Sequence, residues 1–323
     1  MADAAVSYIG ADNGTDSTLD QQRFLFLKLF SGEVILSFEK TTVCLDKHKV
    51  RTISQGKSAQ FPVIGRGPDA AYHTPGAEIL GQEFKQSEKV LTVDKLLVNS
   101  VFIADIDEAM SHFEVRSAYS QRMGAKLAQT YDNHVMREIS LAAASAATIT
   151  GEDGGLVITD AELASATPAT RLQAWVDLLF DSAENFDNKF VDGQRYCVLK
   201  PADYYFFVKE VMTNGFSAIN RDYNGAGSFA DGKIIAIAGI PLIMTPMLPA
   251  ADYSGETFHA INMTNTKALI FTPEAVGTVK LLDLSLQSQW DIRRQGTLMV
   301  ARYAMGHGIL QPECAIRART AAE

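Results

Sequence analysis

Residues 51–66 alternate as a strand does, with Ala59, Phe61 and Val63 two apart, yet the run is too polar for the middle of a core sheet. Pro62 lacks the N–H that a central strand must donate, which restricts the stretch to a sheet edge. Gly65, Gly67, Pro68, Pro75, Gly76 and Gly81 then punctuate a tip. Val90–Val93 and Leu96–Ala104 return as strands. A two-stranded hairpin of this size is marginal by itself. Compact domains seldom carry so long a connection without a use for it. The segment is therefore expected to be an extended arm that needs another surface, with Arg51, Lys57 and Arg66 as its first contact charges and Phe61 as an apolar anchor.

The longest regular element follows. Between Asp107 and Ala147 there is no proline and one glycine, Gly124. Met110, Phe113, Met123, Leu127, Tyr131, Val135 and Ile139 recur mostly three or four apart, so the run predicts a helix over about 107–147, with Asp105, Asp107 and Glu108 favouring its start. At roughly 1.5 Å per residue such a helix is a rod near 60 Å long.

Residues 1–22 hold Asp3, Asp12, Asp16 and Asp20 with no Lys or Arg, and are expected to be a flexible tail rather than a signal peptide. Phe24, Leu27, Leu29, Phe30, Val34, Ile35 and Phe38 suggest a short helix. Thr167 caps a predicted helix with Pro168 at its first position, and Leu172, Trp175, Val176, Leu179, Phe180, Ala183 and Phe186 form its expected buried face. Strands are expected at 195–199, 234–238, 240–245, 266–272 and 275–284, and a helix at Pro201–Asn214. The region 168–270 thus reads as mixed α/β, and 275–318 as strands returning to the first domain.

Composition excludes several functions. No window approaches about eighteen consecutive apolar residues, so no membrane partner is expected. The net charge of −9 argues against a DNA-binding surface, which needs clustered Lys and Arg. Cys44, Cys197 and Cys314 are scattered and odd in number, as expected of reduced thiols. Gly225-Ala-Gly227 loosely matches a dinucleotide loop but lacks the preceding strand and following helix. Glu108 with His112, and His134 with Glu138, are four apart, which offers two ligands per pair and no third. His307 lies between Gly306 and Gly308, where a packing histidine in a close backbone approach is expected. No catalytic elbow, zincin or phosphate-loop motif is present, so neither catalytic residue, metal nor cofactor is expected. Arg293 and Arg294 beside Asp291 read as a solvated or intersubunit face.

Two blocks carry a family resemblance. The wording of 51–66 resembles the arm of the major capsid protein of short-tailed bacteriophages (podoviruses), and Ala275–Leu281, Arg302–Gly308 and Pro312-Glu313 resemble that family's C-terminal signature. The blocks stand in the family's order and span about 23–317. The resemblance implies the tailed-phage capsid fold, an α+β fold with an N-terminal arm (1–50), an extended loop (51–90), a peripheral domain (91–154 and 271–323) containing the spine helix, and an axial domain (155–270). It implies self-assembly into pentamers and hexamers of an icosahedral shell, aided by a scaffolding protein, around double-stranded DNA, with a portal at one vertex. Assembly would occur in the host cytoplasm and end in the virion. Two alternatives stand beside it. One is a cellular nanocompartment shell of the same fold, which genome neighbours would distinguish. The other is an α/β enzyme, against which the missing motif counts.

Overall fold

The computed structural model describes residues 37, 42–67, 70, 72–76, 78–106, 115–149, 151–213 and 236–322. The tail, the Phe24–Phe38 block, the Glu108/His112 pair and the Gly225–Gly227 loop lie outside these. The chain forms two compact units, one drawing on residues 95–131 and 282–305, the other on 43–94, 132–281 and 306–323.

The arm is carried by β1 (Lys49–Thr52), β2 (Ser58–Ile64) and β3 (Gln86–Thr92). β2 and β3 pair antiparallel as an isolated two-stranded sheet, from Ser58 opposite Thr92 to Ile64 opposite Gln86. Pro62 thus sits on a strand with one partner, where its missing N–H costs no ladder bond. The alternation turns Ala59, Val63 and Leu91 inward and leaves Gln60, Ile64 and Val90 exposed. The Gly65 N–H donates to the Lys85 carbonyl and closes the foot of the 66–84 loop. β1 runs parallel to the start of a later strand, with Lys49 opposite Gly277.

β4 (Leu97–Ala104) is followed by α1 (Val115–Ala143), a helix of 29 residues. Met123, Leu127, Tyr131, Val135 and Ile139, each four from the next, are all buried. Fully burying such a side chain contributes about 1.5–3 kcal/mol, so this stripe, more than helix propensity, holds the element. Gly155 lies so close to the helix end that a β-carbon there would be 2.3 Å from the Ala142 carbonyl oxygen.

β5 (Leu156–Thr159), α2 (Pro168–Asn188), β6 (Tyr196–Leu199), α3 (Pro201–Thr213), β7 (Ala236–Ile237), β8 (Ile240–Met244) and β9 (Thr266–Phe271) follow, then the long hairpin β10 (Val276–Asp291) and β11 (Gly296–Ile309), and last β12 (Ala315–Arg319). Six of them make a mixed sheet in the order β5-β12-β9-β6-β8-β7. Its central strands are buried nearly end to end, from Ala268 to Phe271 and Cys197 to Leu199, which requires cover on both faces. α2 begins with Pro168 as predicted, but Thr167 makes no side-chain cap bond. Leu172, Trp175, Val176, Leu179 and Phe186 are buried, whereas Phe180 is exposed because it falls on the far side of the stripe.

β12 differs from expectation. It was expected to return with the peripheral strands, but it pairs antiparallel with β9 and parallel with β5, inside the α/β sheet. Its short run of buried Ala315, Ile316 and Ala318 fits any buried sheet, so its residues alone do not select a partner. In the other unit, β11 pairs with β4 from Gly296 opposite Ala104 to Tyr303 opposite Leu97.

Candidate functional site

Most of the predicted contact charges are held within the chain. Arg51 donates from Nη1 to the Gln60 carbonyl at 2.6 Å and stands over the Phe61 ring, 5.7 Å from its centroid. The two stiffen the start of the arm together, and Phe61 is half-buried. Arg66 is fastened more thoroughly. Its guanidinium lies 3.3 Å from each of the Glu152, Asp153 and Glu313 carboxylates, donates to the Lys189 carbonyl and sits over the Phe190 ring. Burial raises the Glu313 carboxyl above its ordinary value against the pull of Arg66. Arg66 thus ties the foot of the loop to its own chain. Lys57 is different: its side chain is exposed and takes part in no ion pair among the described residues.

The charged sequence of 51–90 leads one to expect few large apolar side chains there, and the structure corrects this. Ile64, Tyr72, Ile79, Leu80, Phe84 and Val90 are all exposed, Leu80 at 76% and Ile79 at 79%. The Ile79-Leu80 pair is plain in the sequence; what could not be read there is that none of the described residues folds back over it. Scattered single exposed apolar residues are ordinary, but these six fall within residues 64–90. At the turn between β10 and β11, Arg293 is exposed and Arg294 reaches Asp291 at 3.7 Å, beside exposed Trp290 and Ile292.

A second polar constellation is buried. His259, in a left-handed backbone conformation, places Nδ1 2.7 Å from Glu138 and Nε2 3.0 Å from Asp94. Burial opposes its charge, but hydrogen bonds to Asp94 and Glu138 outweigh that and hold its pKa up at about 9. The His134 ring lies 4.8 Å from it and the His307 ring 5.6 Å. Burial lowers His134 to about 4 and holds His307 well below its ordinary value. Beyond them, His48 donates from Nδ1 to the Cys44 carbonyl, so its Nε2 accepts from the Thr278 hydroxyl, and that oxygen in turn accepts from His307 Nδ1. This chain of bonds fixes the tautomers of two neutral histidines. Next to it the buried Arg137 donates to the carbonyls of Phe258 and His259, pairs with Glu256 at 2.8 Å and covers the Tyr253 ring.

Of the His134/Glu138 pair, His134 packs against the His259 ring and Glu138 lies within hydrogen-bond distance of it, so the two belong to this cluster. Among the described residues no group of three side chains is arranged to hold an ion, and no helix is long and apolar enough to cross a membrane. The three cysteines are free and buried, and burial pushes the Cys197 thiol up to about 12. As expected, His307 is buried; Gly306 before it approaches the Thr92 backbone closely, and Gly308 after it packs against the Leu91 side chain.

An edge hairpin with an apolar loop, a long helix and a mixed sheet define a shell subunit of the tailed-phage capsid type, and the known proteins agree. A model of the family described as Gp10A-like: Major capsid protein matches residues 60–319. The major capsid protein of Enterobacteria phage T3 is 32% identical over 95% of this chain and 94% of its own length. That of Escherichia phage T7 is 32% identical over 90% of each. A solved capsid structure of cyanophage P-SCSP1u is 37% identical, covers the whole of both chains and superposes with a TM-score of 0.75. The chain belongs to the Gp10A-like major capsid protein family, and is a structural shell protein of a bacteriophage.

Proposed function

We propose that the activity of this chain is assembly alone, with no catalysis. Copies close into pentamers and hexamers of an icosahedral lattice, guided by a scaffolding protein in the host cytoplasm, and the finished shell holds double-stranded DNA behind a portal at one vertex. The net charge of −9 suits a wall that contains DNA without binding its sequence. We assign 1–50 to an N-terminal arm, 51–90 to the extended loop, 155–270 with β12 to the axial domain, and 91–154 with 271–314 to the peripheral domain.

The observation that carries the reading is the loop between Gly65 and Lys85. It is tied at its foot by Arg66 and by a backbone hydrogen bond, yet it exposes Tyr72, Ile79, Leu80 and Phe84. A neighbouring copy would cover them. Lys57 supplies rim charge to such a contact, and the Arg293-Arg294 turn of the other unit supplies charge to a contact of its own; charges of this kind set register more than affinity. Arg51, Phe61 and Arg66 hold the arm in the shape that reaches across.

Expression with a scaffolding protein, followed by negative-stain microscopy, tests this. Shells are expected from the parent chain. With Leu80 and Phe84 both changed to Asp, soluble subunits with an unchanged circular dichroism spectrum and few or no shells are expected. Normal shells from that variant would refute the role of the loop. A strictly monomeric parent at high concentration with scaffold present would refute the assembly reading itself.

A further inference from the structure

His259 joins three segments that are distant in sequence. Asp94 lies just past β3, in the link that leaves the arm; Glu138 is on α1; His259 belongs to a loop between β8 and β9. Both ring nitrogens are within hydrogen-bond distance of a carboxylate oxygen, at 2.7 and 3.0 Å. Carboxylates only accept, so both bonds exist together only if the ring carries two N–H groups. A neutral ring would leave one carboxylate without its donor, and would leave the buried Glu138 and the half-buried Asp94 without their counter-charge.

The surroundings favour a single positive charge at this point. The groups facing His259 are His134, Arg137 and Glu138 from α1, Asp94 from the arm link, His307 from β11 and Glu256 from its own loop. Arg137 is committed to Glu256 and to the two loop carbonyls. His307 and, behind it, His48 are buried, His134 is half-buried, and loss of water holds all three below the ordinary histidine value. A second imidazolium about 5 Å away would repel the first in a site from which water is largely excluded. The left-handed backbone at His259, unusual for a residue with a β-carbon, indicates that the ring's position is imposed by its partners.

We propose that His259 is a proton-held clasp: as an imidazolium it binds the foot of the arm to the long helix and to the 252–262 loop, and loss of its proton releases the arm link. This rests on contacts within one chain and not on the assembly reading. It identifies the place where the arm is coupled to the rest of its unit, and the condition, alkaline pH, that uncouples it.

The full chain labelled with ¹⁵N-histidine tests the clasp, with ring nitrogen shifts read across pH and amide hydrogen exchange, corrected for intrinsic rates, followed in parallel. At pH 7.5 one ring with both nitrogens protonated is expected. On alkalinisation it should lose a proton while amides in 90–97 and 256–262 lose protection together. Asp94→Asn removes one of the two charges that hold the proton, and should move this transition down by about one pH unit or more. The clasp is overturned if every ring is neutral at pH 7.5. It is equally overturned if the ring titrates with no change in protection, or if Asp94→Asn leaves the transition where it was. The titration of the parent chain decides the matter even if that variant fails to fold.

Discussion

At the scale of single residues, the two glycines around His307 have unequal reasons to be there. A β-carbon at Gly306 would lie 2.1 Å from the Thr92 carbonyl oxygen, which is backbone in the arm's return strand. At Gly308 it would lie 2.4 Å from Leu91 Cδ2, the far end of a side chain that can turn aside. Gly306→Ala is therefore expected to force strands apart and cost more than the usual 1–3 kcal/mol of overpacking, whereas Gly308→Ala should fall within that range. Thermal unfolding of the two soluble variants measures the difference, and equal losses would contradict the geometry. The close approach was legible in the Gly-His-Gly spelling. The pairing of His259 was not: its partners lie 121 and 165 residues away, and no local pattern links a loop histidine to carboxylates at that separation.

At the scale of elements, period and position were legible where a single face decides the outcome. The four-residue spacing from Met123 to Ile139 needs only one buried side to become a helix. Leu127→Pro removes a backbone donor and clashes with the preceding turn, at about 3 kcal/mol or more, and also strips an apolar group from the stripe. Soluble yield should collapse, and a variant that folds like the parent would show that this stretch need not be helical. Sheet partnership was less legible, as β12 shows, because the choice between two buried sheets depends on the whole fold rather than on Ala315–Arg319. The arm sits between these cases. Its edge character could be read from Pro62, but the engagement of Arg66 by Glu152, Asp153 and Glu313 could not. The two arm cations should therefore separate in experiment. Lys57→Glu is expected to leave the melting temperature within a few degrees and lower shell yield, since exposed substitutions usually change stability by under about 0.5 kcal/mol. Arg66→Glu should also loosen the loop foot in the free subunit, seen as faster proteolysis within 66–84. Equal proteolysis of both variants would show that the Arg66 cluster does not anchor the loop.

At the scale of the whole molecule, the buried histidines shape how stability depends on pH. His48 and His134 stay neutral in the folded chain down to about pH 4, while an unfolded histidine takes up its proton near 6.5. Between those values the unfolded state binds more protons, so stability falls as pH drops from about 6.5 to 4, and His307 adds to the loss in the same direction. Asp132 works the other way. Burial raises its carboxyl to about 6 against the pull of the Val43 and Cys44 amides, so between the ordinary carboxylate value and 6 the folded state holds the extra proton. Glu313, also raised by burial, acts in the same direction, and these two carboxylates offset only part of the effect of three histidines. On the alkaline side His259 keeps its proton to about pH 9 when folded and loses it near 6.5 when unfolded, so its contribution is complete below 6.5 and disappears as pH rises through 9. The free subunit should therefore be most stable near pH 6.5–7 and weaken on both sides, through different residues. His134→Gln should flatten the acid limb and spare the alkaline one, and Glu138→Gln should do the reverse. Denaturant midpoints of the unassembled chain from pH 4.5 to 9.5 measure both limbs. A midpoint that stays constant over that range would show that the histidine cluster is solvated in solution, and neither neutral nor clasped.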